Sequence, residues 1–211
     1  MRTRIKICGI RTPEHARAAA DAGADAVGLV FYGPSPRAVD ADAAARIVAA
    51  LPPFVATVGL FVNAPMDVIH PILAKVPLDL LQFHGDESPE YCARSPRPYV
   101  RGVRMAPETD LLEFERSFSN ARALLLDAHV TGTFGGTGQR FDWSMLEARP
   151  PVRPYILSGG LTVDNVGVAV RRLRPWAVDV SSGVESERGI KDVAKIRDFI
   201  QAVRDADAQS S

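Results

Sequence analysis

Cysteine is scarce in this sequence, and its scarcity limits the chemistry that the chain can carry out. Cys8 and Cys92 are the only two cysteines in 211 residues, too few for a disulfide framework. They form no CxxC pair, and the four histidines are scattered, so no spacing typical of a metal site occurs. We therefore expect a reaction that uses neither a metal nor an organic cofactor.

The sequence also lacks an excess of charge and any long hydrophobic run. Its 25 Lys and Arg residues balance its 25 Asp and Glu residues, so nothing in the net charge favours binding to nucleic acid or to an anionic membrane. No stretch approaches the roughly 18 apolar residues of a membrane span, and the basic N-terminus lacks the apolar core of a signal peptide. We expect a cytoplasmic protein whose partner is a small molecule, and the sequence leaves monomer and homodimer open.

What the sequence does contain is a repeated alternation of strand-like and helix-like segments. Eight short β-branched or apolar runs occupy residues 4–8, 25–31, 55–61, 79–84, 98–103, 123–128, 154–160 and 177–183. Helix-start signals lie between them, among them Thr12 before Pro13, Ser88 before Pro89, and Thr162. Near-continuous apolar strands separated by helices predict a parallel sheet covered by helices. Eight repeats of about 25 residues predict a closed (β/α)8 TIM barrel, an α/β fold.

We predict a single domain over residues 1–204, followed by a frayed polar tail over residues 205–211. In the fifth unit, between Val103 and Ala123, the sequence MAPETDLLEFERSFSN predicts a short helix. An open doubly wound sheet is the alternative α/β fold. It is disfavoured because Cys8-Gly9-Ile10-Arg11 follows the first run, where a dinucleotide-binding sheet would carry a G-x-G-x-x-G motif.

In a barrel of this kind the ligand lies at the carboxyl ends of the strands, and in this sequence polar residues and glycines cluster there. Two glycine-bearing loops follow the seventh and eighth runs, where barrels commonly bind phosphate. Backbone N–H groups at such turns can surround an anion, although ordinary strand-to-helix turns have the same composition. The predicted phosphate-binding residues are Gly159, Gly160, Ser181, Ser182 and Gly183.

Cys8 and Asp127 end the first and sixth runs, so both would face a ligand at the barrel mouth and could form an acid/base pair. Taken singly, Cys8 could be a buried packing residue and Asp127 a loop cap. A thiol with the ordinary pKa of about 8.5 is a poor base at neutral pH unless positive charge lies nearby. Lys6 shares a strand face with Cys8, and Asp179 adjoins the first strand once a barrel closes. We predict an inward-facing Lys6–Asp179 pair beneath the site.

Other side chains at the strand ends complete the predicted site. Arg37 closes the stiff segment GPSPR, and its guanidinium group suits two-point binding of a carboxylate, although a solvated surface arginine is the alternative. Gln82, His84 and Asp179 are predicted to line the substrate site, and Cys92 to pack in a helix. The glycine-rich run over residues 131–143 is predicted to form a lid, with Gly135, Gly136, Thr137 and Gly138 at its centre.

Nine stretches spread from end to end of the chain form a recognisable series. They are KICGI, GLVFYGPSPRAV, VGLFVN, LQFHGDE, LLLDA, GGTGQRFDW, LSGGL, VDVSSGVE and GIKDVAKI. In this order and at these positions they resemble the phosphoribosylanthranilate isomerases of tryptophan biosynthesis. The resemblance implies an Amadori rearrangement of N-(5-phosphoribosyl)anthranilate to 1-(2-carboxyphenylamino)-1-deoxyribulose 5-phosphate, without metal or redox chemistry.

Residue roles follow from the same resemblance. It implies that Cys8, in KICG, is the general base at C2′ and that Asp127, in LLLDA, is the general acid at the ring oxygen. It also implies that Arg37, in SPR, holds the anthranilate carboxylate and that the SGG and SSG loops hold the phosphate. Two alternatives stay open at this point. One is the related barrel isomerase of histidine biosynthesis, which carries an aspartate where this chain has Cys8, and the other is a non-catalytic phosphosugar-binding barrel.

Overall fold

Eight parallel strands close into a barrel in the computed structural model, which describes residues 2–128, 142–148 and 150–209. The barrel strands are β1 Arg4–Cys8, β2 Ala26–Val30, β3 Ala56–Phe61, β4 Leu80–Phe83, β5 Tyr99–Met105, β6 Ala123–Ala128, β7 Tyr155–Leu157 and β8 Ala177–Val180. Each strand pairs with the next in the chain, and β8 pairs with β1. The predicted α/β barrel is therefore confirmed; seven barrel strands lie within the apolar runs, and β5 extends two residues beyond its run.

Each barrel strand is followed along the described chain by a helix, which after β8 comes beyond a short insertion. The helices are α1 Pro13–Ala22, α2 Ala41–Ala49, α3 Met66–Lys75, α4 Pro89–Ala93, α5 Leu111–Ser117, α6 Ser144–Ala148, α7 Val163–Leu173 and α8 Val193–Ala208. Local sequence sets where several begin: the Thr12 hydroxyl accepts from the His15 N–H, and the Ser88 hydroxyl accepts from the Tyr91 N–H. The fifth helix is short, as expected, at 7 residues. No helix in the described ranges has the length and apolar character needed to cross a membrane.

The core has two parts, and the smaller one lies at the site end of the barrel. The larger part fills the layer between strands and helices with side chains such as Ile7, Leu81 and Phe199, all fully buried. Since strand side chains alternate between faces, the other face of each strand points into the barrel. There Cys8, Leu60 and neighbouring apolar side chains form the second cluster, an apolar floor under the strand ends.

Two features depart from the predicted organisation. A short 3-10 helix, Ser182–Val184, and a small antiparallel hairpin, β9 Glu185–Glu187 and β10 Ile190–Lys191, are inserted between β8 and α8. The tail prediction from Asp205 onward is wrong as far as Ala208, because α8 continues through those residues. Ala206 is fully buried, so a polar sequence is held in place by its one apolar face.

Barrel closure brings the predicted inward pair together. Lys6 on β1 is in register with Asp179 on β8, and Lys6 Nζ lies 2.7 Å from Asp179 Oδ1. Both side chains are buried. The pair joins the first and last strands of the barrel, directly beneath the end of β1.

Candidate active site

A single cleft at the carboxyl ends of the strands collects most of the predicted site residues. It encloses about 680 Å³ of space, a volume that includes the open solvent at its mouth. The predicted residues that line it are Cys8, Arg37, Gln82, His84, Asp127, Gly159, Gly160, Asp179, Ser181 and Ser182. Tyr32, Ser35 and Leu161 also line the cleft, and sequence reasoning did not single them out.

Two parts of the prediction fall elsewhere. Gly183 does not line the cleft; a Cβ at this position would lie 1.9 Å from the carbonyl oxygen of Leu161. A glycine here lets the loops that follow β7 and β8 touch, so its place in the structure is one of packing. The predicted lid residues Gly135, Gly136, Thr137 and Gly138 lie outside the described residues.

A chain of hydrogen bonds holds Asp127. Gln82 Nε2 lies 3.0 Å from His84 Nδ1, and His84 Nε2 lies 3.1 Å from Asp127 Oδ2. With the amide donating to Nδ1, the neutral imidazole carries its proton on Nε2 and donates it to Asp127, an assignment made from the network. The other carboxylate oxygen of Asp127 accepts from the Ala128 N–H at 2.9 Å. The carboxyl group is thereby fixed at the end of β6.

Gln82 and His84 come from the same strand, two residues apart, so they share its inward face. Gly102 on neighbouring β5 makes room for the imidazole, since a Cβ there would lie 2.5 Å from His84 Nδ1. Gln82 is buried, and its Oε1 has no hydrogen-bond partner among the described residues. An unsatisfied buried acceptor on the wall of a cleft is available to a hydroxyl group of a ligand.

Cys8 lies at the base of the cleft beside the Lys6–Asp179 pair. A Cβ on Gly28 of β2 would lie 2.8 Å from Cys8 Sγ and 3.0 Å from Lys6 Nζ, so the thiol and the ammonium group face the same space. Ser158 Oγ donates to Asp179 Oδ2 at 3.1 Å. Burial lowers the pKa of Lys6, but the charges of Asp179 and Cys8 outweigh it and place that pKa above its usual range.

The positive surroundings predicted for Cys8 are present, but they do not make it a ready thiolate. Burial raises the pKa of the Cys8 thiol, and the nearby charge of Lys6 offsets only part of this effect, so the pKa lies above its ordinary value. Desolvation disfavours the charged form of any acid, and here it outweighs the adjacent ammonium group.

Arg37 is buried and paired, not solvated. Its Nε and Nη2 lie 2.7 Å and 2.8 Å from the two carboxylate oxygens of Glu185 at the start of the hairpin. Gly9 makes room for the Arg37 side chain on its way to Glu185: the φ of Gly9 is +79°, and a Cβ there would lie 2.6 Å from Arg37 Cδ. Lys191, from the other hairpin strand, lies 2.9 Å from Glu185 Oε1. Sequence reasoning assigned no role to Glu185 or Lys191, although both belong to the stretches VDVSSGVE and GIKDVAKI.

Comparison with known proteins identifies the family. A family model described as N-(5'phosphoribosyl)anthranilate (PRA) isomerase matches residues 5–202. The N-(5'-phosphoribosyl)anthranilate isomerase of Thiobacillus denitrificans is 56% identical over 204 residues, which cover 97% of this chain and 99% of that protein.

Solved structures of such isomerases share the fold. The phosphoribosyl anthranilate isomerase of Thermus thermophilus superposes with a TM-score of 0.87 at 32% identity, over 96% of this chain and 99% of that one. Another phosphoribosyl anthranilate isomerase, solved in complex with reduced 1-(o-carboxyphenylamino)-1-deoxyribulose 5-phosphate, gives a TM-score of 0.82 at 38% identity, with coverage of 96% and 99%. By its sequence along nearly its whole length and by its barrel, this chain belongs to the phosphoribosylanthranilate isomerase family.

Proposed function

We propose that Cys8 and Asp127 carry out the Amadori rearrangement of N-(5-phosphoribosyl)anthranilate to 1-(2-carboxyphenylamino)-1-deoxyribulose 5-phosphate in tryptophan biosynthesis. The observation that supports these roles is that the thiol and the carboxyl group line the same cleft although they end strands on different sides of the barrel. A reaction that moves one proton onto the ring oxygen and removes another from carbon needs two such groups, one on each side of the sugar.

The steps can be written with all protons accounted for. Asp127 gives a proton to the furanose oxygen, the bond from that oxygen to C1′ breaks, and the nitrogen lone pair forms an iminium group. The thiolate of Cys8 then takes the proton from C2′, and the electrons of that bond neutralise the iminium nitrogen to give an enolamine. Solvent then supplies a proton to C1′ and takes the hydroxyl proton at C2′, which yields the ketone. Exchange with solvent removes the proton from Cys8 and returns one to Asp127, so the enzyme is restored and the sequence consumes no redox equivalent.

The two loops after β7 and β8 are proposed to hold the phosphate. Gly159 and Gly160 have φ values of +81° and +62°, and their N–H groups have no partner among the described residues. The Gly160 carbonyl is occupied, since it accepts from Asn165 Nδ2 at 2.8 Å. Consecutive free N–H groups next to the start of helix α7 form a suitable anion cradle. Ser181 and Ser182 face them across the cleft, and Gly183 keeps the two loops in contact.

The remaining lining residues are assigned to the middle and far end of the substrate. Arg37 is proposed to bind the anthranilate carboxylate, and Gln82 Oε1 to accept from a sugar hydroxyl. Asp179 accepts from Lys6 and Ser158, which leaves further lone pairs for a second hydroxyl. We place the enzyme in the cytoplasm, where the reducing conditions keep a catalytic thiol free.

The roles of Cys8 and Asp127 are tested by following the loss of phosphoribosylanthranilate fluorescence with purified protein. Cys8→Ala and Asp127→Ala are each expected to lower kcat by about 10²–10⁴-fold, the usual contribution of a general acid or base. Cys92→Ala is the matched control, because Cys92 is buried in α4 and does not line the cleft. Turnover at wild-type level in either of the two site variants would refute the assigned role.

A further inference from the structure

Glu185 holds one edge of the Arg37 guanidinium group and leaves the other edge free. The edge formed by Nε and Nη2 is bound in two-point fashion by the carboxylate. A guanidinium group has five N–H donors, and none of the described residues accepts from Nη1. Arg37 lines the cleft, so the edge formed by Nη1 and the second Nη2 proton remains for another carboxylate. The planar fork then serves two carboxylates at once, one from the protein and one from a ligand.

Every lone-pair site of the Glu185 carboxylate already accepts a hydrogen bond. Its Oε1 accepts from Arg37 Nε and from Lys191 Nζ, and its Oε2 accepts from Arg37 Nη2 and from the Gly189 N–H. These four hydrogen bonds use the lone-pair sites of a carboxylate. Glu185 can therefore influence a substrate only through Arg37, as a positioning residue.

Lys191 gives the buried cluster a net positive charge. Arg37 and Glu185 alone would form a neutral pair, whereas Arg37, Glu185 and Lys191 together carry one surplus positive charge. All three are at most 7% exposed, where charge is weakly screened. Lys191 Nζ also donates to the Ser181 carbonyl at 2.8 Å, so it contacts the loop that follows β8. The cluster therefore contacts both Arg37 and the loop that is proposed to hold the phosphate.

We infer that Glu185 is the positioning residue that makes Arg37 a carboxylate receptor, and that through it the β9–β10 hairpin selects substrates that carry the ortho carboxylate of anthranilate. The inference rests on the proposed function and adds a source of specificity to it. Without Glu185 the guanidinium group would be free to turn, and its free edge would no longer be fixed toward the ligand.

The test compares Glu185→Gln with wild type on two substrates: N-(5-phosphoribosyl)anthranilate and its analogue made from aniline, which lacks the carboxylate. With the anthranilate substrate the variant is expected to raise KM about tenfold with a smaller change in kcat, because ground-state binding is lost. With the aniline substrate the KM values of wild type and variant are expected to agree within about twofold, since no carboxylate is bound. Glu115→Gln is the matched control: Glu115 is a buried carboxylate that accepts from the Val152 and Arg153 N–H groups, away from the cleft.

A second comparison separates positioning from general structural damage. In an Arg37→Ala background, Glu185→Gln is expected to raise KM no further, because the two residues act as one unit. Glu185→Asp keeps the charge on a shorter stem and is expected to give an intermediate KM. If Glu185→Gln does not fold, Glu185→Asp decides the matter on the same two substrates.

The possible results bear on different claims. An equal rise in KM on both substrates, or additive effects in the double variant, would overturn the role of Glu185 and leave the proposed reaction intact. Absence of turnover by wild type on the anthranilate substrate would instead refute the proposed function. A KM effect confined to the carboxylate-bearing substrate supports the inference.

Discussion

Burial and neighbouring charges act in opposite directions on the pKa of the Cys8 thiol. Burial raises the pKa of its thiol, while the adjacent Lys6 lowers it and the carboxylate of Asp179 raises it again. The balance favours the protonated thiol. The thiolate is the form that acts as a base, and its fraction increases as pH rises.

This balance predicts the pH dependence of the enzyme. Since kcat/KM reports the free enzyme, it should rise with pH on the alkaline side, with a midpoint above the ordinary pKa of a thiol. Lys6→Met removes the charge that lowers the pKa of Cys8 and leaves Asp179 unbalanced, so the rising limb should move to higher pH. Kinetics across a pH series measure this shift.

Lys75→Met is the control for the Lys6 variant. Lys75 forms an ion pair with Asp42 at the surface, outside the cleft, and its loss should leave the profile unchanged. If the rise of kcat/KM in Lys6→Met keeps its midpoint or moves to lower pH, the lysine does not act on the thiol.

At the scale of an element, one side chain ties the end of helix α8 to the start of the barrel. The carboxylate of Asp207 accepts from the backbone N–H and the hydroxyl group of Thr3, at 2.7 Å and 2.8 Å. Thr3 directly precedes β1, so the last turn of the chain's final helix is tied to the start of its first strand. Together with buried Ala206, these bonds order a segment whose composition alone suggests fraying.

Asp207→Ala should therefore destabilise the fold. Loss of two hydrogen bonds to a charged acceptor is expected to lower the free energy of unfolding by about 1–3 kcal/mol. Urea denaturation measures the change. Asp205→Ala is the matched control, because the Asp205 side chain is exposed and, among the described residues, accepts a hydrogen bond from Gln201 alone; an equal effect of the two substitutions would contradict the proposed tie.

At the scale of the whole molecule, buried ion pairs connect the first and last parts of the barrel. Lys6 and Asp179 join β1 to β8. Arg37, which follows β2, reaches Glu185, which follows β8, so this second pair passes over the end of β1. Removing one partner from such a pair leaves a buried charge unpaired, which is destabilising.

Glu185 makes stability depend on pH in a defined direction. Burial alone would raise the pKa of its carboxyl group, but Arg37 and Lys191 hold that pKa below the ordinary value of 4.5. A depressed pKa contributes stability above the unfolded-state value, and this contribution disappears as pH falls through the folded-state value. The free energy of unfolding of wild type should therefore decline more steeply below about pH 4.5 than that of Glu185→Gln.

Thermal melts over a series of acidic buffers compare the two proteins. The curves of melting temperature against pH should approach one another as pH falls, because protonation of Glu185 removes from wild type the negative charge that the substitution has already removed. A difference in stability that stays constant across the acid range would exclude Glu185 as the source.

The sequence by itself determined the eight barrel strands, several helix starts and the strand-end positions of Cys8 and Asp127, because these depend on neighbours a few residues away and on the period of two in a strand. The Lys6–Asp179 pair could also be predicted, because closing a barrel of eight parallel strands makes β8 the neighbour of β1. Tertiary structure alone decided the ion pair of Arg37 with Glu185, whose residues are 148 positions apart. It also decided the packing of Gly183 and the direction of the Cys8 pKa shift. These properties arise from which loops meet and how much water they exclude, and both are set only once the whole barrel has closed.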